Sequence, residues 1–135
     1  MLREIQVNKS ERKVYAINDE SEIIAVYDCG TSYYSGFNEN GEPYSNADDG
    51  IYNDEYVYAE VYGTDSDDEV YGFAYINIDP RGRALHGGRD LEPYQPTLKP
   101  TLGCFRMYNA DVLHLAQMFI QAENEGIKPY VHVVS

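Results

Sequence analysis

His86 and Cys104, 18 residues apart, are the pair in this chain whose types could do covalent chemistry together. A thiol is a useful nucleophile only as the thiolate, so Cys104 needs a nearby base or a positive field. His86 can supply the base, because imidazole titrates near neutrality and can take the thiol proton or pair with the thiolate. An acceptor on the other ring nitrogen must fix its tautomer, and the backbone carbonyl of Gly87 is the candidate. Gly103, just before Cys104, permits a tight turn that leaves backbone N–H groups facing a developing oxyanion. Arg106 carries a planar fork suited to a carboxylate, with a salt bridge to an acidic neighbour as its alternative use. Phe105, Met107 and Tyr108 read as side chains that pack this turn against the core.

The chemistry requires a fold that closes a proline-rich loop. Pro93, Pro96 and Pro100 keep residues 89–100 out of regular structure. Upstream, residues 84–85 read as a short strand delivering His86. Downstream, Asn109 is expected to cap a helix reaching about Glu123, with Val112, Leu113, Leu115, Ala116, Phe119 and Ile120 at helical spacing. Residues 4–17 alternate as a hairpin turning at 8–13. Residues 22–28 (EIIAVYD) are dense in apolar side chains and read as a central strand, ended by Cys29 and Gly30. Cys29 reads as a small buried strand-end residue. Residues 35–49 read as a loop or hairpin connection. Residues 50–63 form the clearest strand, with Val57, Ala59 and Val61 alternating against Tyr56, Tyr58, Glu60 and Tyr62. The acidic run 64–69 (TDSDDE) has no Gly at the sixth position of a calcium loop and no closing Glu at the twelfth, so it reads as a solvated turn. Strands are expected over 70–79 and 129–134, the latter with Tyr130, His132 and Val134 on one face. The fold class is therefore mostly β (α+β), in one domain spanning residues 1–135.

Composition narrows the function classes. A formal charge of −13, from 10 basic and 23 acidic side chains, argues against nucleic acid and anionic membranes as partners. No stretch approaches a membrane span, and the first residues (MLREIQVNKSERKVYAI) hold no apolar run of export type. Two cysteines make no disulfide framework, and no CxxC or Cys/His cluster suggests a metal. No cofactor is called for. With 14 Tyr against 4 Phe and no Trp, sheet faces that are half wet are expected.

The run from Leu85-His86-Gly87 to Thr101-Leu102-Gly103-Cys104-Phe105-Arg106-Met107, followed by Asn109, Asp111 and Leu115, resembles the catalytic core of the L,D-transpeptidase (YkuD-like) family. There a strand ends in His-Gly, a variable loop follows, and a Ser/Thr-x-Gly-Cys-x-Arg turn precedes a helix. The resemblance implies a β-sandwich with one main helix after the cysteine, and a cysteine acyltransferase acting on peptidoglycan tetrapeptide stems. It implies Cys104 as nucleophile, His86 as base and Gly87 as backbone orienter. Thr101, Leu102, Gly103 and Arg106 would form the oxyanion and substrate region. Many members carry His where this chain has Leu102, so the enzyme would either be slower or rely on backbone donors alone. His114 and His132 read as ordinary helix and strand residues.

Peptidoglycan lies outside the cytoplasm and the chain shows no export run; the resemblance implies, for short members of this sort, a toxin delivered into a rival's periplasm by a secretion machine or a part of a phage lytic system. An immunity protein or a secretion-machine component would then be a partner. The reading from another class is a non-catalytic binding or adaptor domain of the same fold. Against it stands the joint presence of His86, Gly103, Cys104 and Arg106.

Overall fold

The computed structural model describes residues 1–30, 47–68, 70–88 and 104–135. In chain order its elements are β1 (Leu2–Asn8), β2 (Lys13–Asn18), β3 (Ile23–Asp28), β4 (Gly50–Tyr52), β5 (Tyr58–Val61), β6 (Ala74–Asn77), β7 (Ala84–His86), β8 (Phe105–Arg106), α1 (Asn109–Asn124) and β9 (Tyr130–Val134). Five strands form one sheet in the order β3-β2-β1-β9-β4, and four form a second in the order β5-β6-β7-β8. This is the mostly-β, α+β architecture with one helix among the described residues.

Alternation decides which faces are buried. In the first sheet Ile5 pairs with Ala16 and Val131, and Val7 with Val14 and Val133, so buried side chains line up in rows across strands. In the second sheet Ala59, Ile76, Leu85 and Phe105 form the corresponding row. Helix α1 presents Val112, Leu115, Ala116, Phe119 and Ala122, spaced for a single stripe, and touches strands of both sheets. Buried side chains from both sheets and the helix make one contiguous core. The helix ends where Gly126 adopts a φ of 95° and the Ile127 N–H reaches back 3.0 Å to the Ala122 carbonyl.

Several sequence expectations change. Strand β3 is not central: it ends its sheet, pairs with β2, and leaves Ile23, Ile24 and Val26 largely exposed. β-branched residues favour a pleated strand wherever it lies, so apolar density does not distinguish centre from edge. The strand expected over 50–63 is two strands in different sheets, β4 against β9 and β5 against β6. Asp54 breaks it, its side chain accepting from the Tyr56 N–H at 3.0 Å and its carbonyl from the Val57 N–H at 3.2 Å. The strand expected over 70–79 shortens to β6. Residues 70–73 are turns, anchored by the Asp68 carboxylate on the Val70 and Tyr71 N–H groups at 2.9 and 2.8 Å. Asn109 does not cap α1; Tyr108 occupies the N-cap position without a side-chain cap. The loops expected over 35–49 and 89–100 fall largely outside the described residues.

Burial ranks the cost of substitutions. Phe119→Ala is expected to cost about 3–5 kcal/mol, and Val26→Thr on the exposed edge about 0.5 kcal/mol or less, both read by urea unfolding. Equal losses would contradict the edge position of β3.

Candidate active site

The site begins with a pair of parallel strands. Leu85 pairs with Phe105 and His86 with Arg106. Because side chains alternate, Leu85 and Phe105 point into the core while His86 and Arg106 share the opposite face. Cys104 precedes β8 by one residue, beside Ala84. It falls on the face of His86 by the same alternation. A parallel pair needs a crossover of a dozen or more residues, which accounts for the long sequence separation of the two groups. Strand β8 is held on its other side by Gly30, whose N–H donates to the Arg106 carbonyl at 2.7 Å and whose carbonyl accepts from the Arg106 N–H at 3.1 Å. Cys29, one residue earlier, is buried, and burial pushes its thiol up to about 12, far from reactive.

His86 is buried, and its Nδ1 lies 2.5 Å from the Gly87 carbonyl oxygen. A carbonyl can only accept, so Nδ1 carries the hydrogen and, in the neutral ring, Nε2 carries the lone pair. Burial pulls the His86 pKa below the ordinary imidazole value, and the Arg106 guanidinium adds to this; the carbonyls of Gly87 and Val70 and the Asp68 carboxylate oppose it. The half-buried Cys104 thiol is shifted the other way. Burial raises it first and Asp79 adds to the rise, against an Ala84 backbone hydrogen bond and the Arg83 and Arg106 guanidinium groups. Both shifts favour the uncharged form, a neutral thiol and a neutral imidazole. The Cys104 thiol donates to the Gly82 carbonyl at a long 3.9 Å. That turn is braced by Asp79, whose carboxylate bonds the Arg83 side chain at 2.6 Å and the Arg81 and Arg83 N–H groups at 3.0 and 3.2 Å.

Two positioning residues escaped the sequence reading. Tyr71 accepts the Gly87 N–H on its carbonyl at 2.9 Å and sets its ring edge-on to the His86 ring at 5.8 Å. Its own pKa is raised by burial and then by Cys104 nearby. Asn109 lies on the inward stripe of α1, three residues before Val112. It bonds both backbone groups of Gly88, accepting from the N–H at 2.9 Å and donating to the carbonyl at 2.8 Å. Its spacing with Val112 and Ala116 was the available signal. The glycines around it are dictated by this contact: a Cβ at Gly72 or Gly87 would lie 1.9 Å from the Asn109 Oδ1, and Gly72 has a φ of 67°. Thr101, Leu102 and Gly103 lie outside the described residues. Among the described residues, no group of three His, Cys, Asp or Glu side chains could hold a metal ion.

The YkuD model, the L,D-transpeptidase catalytic domain, matches residues 2–123. The chain belongs to that family. Among curated proteins no match is found. Solved structures share the fold. The L,D-transpeptidase of Xylanimonas cellulosilytica DSM 15894 (its residues 123–326) aligns with a TM-score of 0.60 at 15% identity, covering 98% of this chain and 60% of that one. The Ldtfm–avibactam carbamoyl enzyme aligns at 0.63 and 16%, covering 100% and 49%. The L,D-transpeptidase from Mycobacterium smegmatis aligns at 0.58 and 11%, covering 98% and 58%. The chain thus spans between about half and three fifths of the length of these L,D-transpeptidase-fold neighbours.

Asn109→Ala strips both Gly88 backbone groups of their partner, and each buried orphan costs about 1–3 kcal/mol. The expected outcome is a loss of about 2–6 kcal/mol in urea unfolding. Asn109→Asp should not restore it, because a carboxylate cannot donate to the Gly88 carbonyl. Full stability in Asn109→Asp would show that the contact is not a paired hydrogen bond.

Proposed function

We propose that this domain is a cysteine acyltransferase of peptidoglycan tetrapeptide stems, with Cys104 as nucleophile and His86 as its base. The observation that supports it is the β7–β8 register, which sets a buried Nδ1-protonated imidazole and a half-buried thiol on one sheet face beside an arginine. Membership of the L,D-transpeptidase family supplies the substrate class.

The opposed shifts of the two groups favour a proton that stays on sulfur until attack. In this mechanism His86 Nε2 takes the thiol proton as Cys104 Sγ bonds to the carbonyl carbon of meso-diaminopimelate. Backbone N–H groups at Gly103 and Cys104 hold the oxyanion, since Leu102 brings no imidazole there. Collapse breaks the bond to D-alanine, whose nitrogen receives the proton from His86, and leaves a thioester on Cys104. An incoming amine then gives up a proton to His86, attacks the thioester and expels the thiolate, which is reprotonated. An amine from a second stem gives a crosslink and a free D-amino acid gives exchange. Water in the same place makes the enzyme an L,D-carboxypeptidase. The Arg106 guanidinium and the oxyanion-side residues Thr101 and Leu102 complete the substrate region.

Mass analysis of products from a defined disaccharide tetrapeptide tests the assignment. Cys104→Ala should release no D-alanine, and His86→Ala should be slower by about 10²–10⁴-fold. The base must be neutral, and burial lowers its pKa, so the acid limb of kcat/KM should fall below the ordinary imidazole value near 6.5. The same shift has a stability sign. Below that value the unfolded chain binds a proton that the folded chain refuses, so folding weakens as pH falls toward the depressed pKa. Release of D-alanine by Cys104→Ala protein would remove the nucleophile assignment.

The reading extends to a toxin delivered into a rival's periplasm, with an immunity protein or secretion-machine component as partner. A formal charge of −13 suits a basic face on such a partner. Expression carrying a periplasmic signal should arrest growth, and expression without it should not. Equal harmlessness in both compartments would count against a toxin.

A further inference from the structure

The row that carries His86 continues across the second sheet. His86 pairs with Tyr75 and Tyr75 with Glu60, so all three share one face, and alternation along the chain adds Tyr58 and Tyr62 on either side of Glu60. Their rings form a connected set. Tyr71 meets His86, Tyr75 stacks on Tyr71 with centroids 4.4 Å apart, and Tyr58 and Tyr62 flank Tyr75 at 5.9 and 6.0 Å. The Tyr75 hydroxyl donates to the Glu60 carboxylate at 2.9 Å. The outer rings remain open to water, Tyr58 at 41% and Tyr62 at 42% exposure.

This is a face of apolar ring surfaces around a carboxylate acceptor. It suits an uncharged ligand with flat C–H faces and hydroxyl edges, and the carboxylate disfavours anions. It also lies away from the reacting centre: strand β5 is two strand spacings, about 10 Å, from β7. An attacking amine must meet the acyl carbon on Cys104, so a group held on β5 is a remote part of the substrate. We infer that Tyr58, Tyr62, Tyr75 and Glu60 form a saccharide subsite that holds the glycan strand bearing the stem under reaction. The inference rests on the proposed acyl transfer for the identity of the glycan. Binding energy gained there would help seat the stem at Cys104.

The test uses full-length Cys104→Ala protein and a peptide-free β-1,4-linked N-acetylglucosamine tetramer, titrated by NMR. The tetramer should shift amide signals of β5 and β6. The double variant Tyr58→Ala/Tyr62→Ala should weaken binding at least about tenfold, and Tyr58→Phe/Tyr62→Phe should retain it, because the ring faces remain. In the active enzyme, the kcat/KM ratio of disaccharide tetrapeptide to free tetrapeptide should exceed about tenfold and fall toward one in the double alanine variant. No tetramer binding, or binding unchanged in the folded double alanine variant, would overturn the subsite. Saturation of these signals by lysine amide and not by the tetramer would overturn it in favour of a cationic ligand. Tetramer binding by an enzyme that turns over neither substrate would sustain the subsite and strike the acyl transfer instead.

Discussion

The parallel pairing of β7 with β8 is the constraint on which the rest of the site depends. Leu85 and Phe105 are fully buried on one face of that pair, so core packing holds the register that puts His86 level with Arg106 and Cys104 beside Ala84. A slip of one residue would turn Cys104 and Arg106 into the core and Phe105 into water. Such a slip would forfeit the burial of a large aromatic side chain and desolvate a guanidinium, each worth several kcal/mol. Gly30 secures the outer edge of β8, where β3 runs on beyond its last residue, so the two sheets meet through this bridge at the edge of the site.

Around that register the chain builds an electrostatic balance unlike its bulk charge. The whole molecule is strongly acidic, yet Arg83 and Arg106 act on Cys104 and Arg106 acts on His86. Burial outweighs them at the thiol. The shifts therefore favour the uncharged form of both side chains. A buried ion pair would have to be desolvated in full before any reaction. The Asp79 turn contributes by fixing the Gly82 carbonyl near the sulfur.

The helix serves the site as much as the core. One stripe of α1 carries the apolar residues that fasten both sheets together and, at its first turn, Asn109. That side chain completes the hydrogen bonding of Gly88, directly after the His86-Gly87 pair, while the Tyr71 carbonyl takes the Gly87 N–H. Two separate segments thus fix the strand end whose carbonyl orients the imidazole.

By itself the sequence determined the hairpin of β1 and β2, the short strand entering His86, the helix stripe and the terminal strand, and it singled out His86 and Cys104 as the candidates for chemistry. All of these are local patterns: a period of two or of 3.6, a glycine next to a reactive side chain, a proline-rich break between two motifs. Tertiary structure alone decided which strands share a sheet. Residues 50–63 read as one strand that alternates in its second half, yet β4 and β5 serve different sheets, because Asp54 turns the chain and period-two patterning carries no partner information. The same holds for β3, whose apolar residues were compatible with centre or edge. Asn109 was legible as a helix residue but not as the clamp on Gly88, since its partner lies 21 residues away. The row from His86 through Tyr75 to Glu60 likewise exists only through strand register, which long-range packing sets and local sequence does not encode.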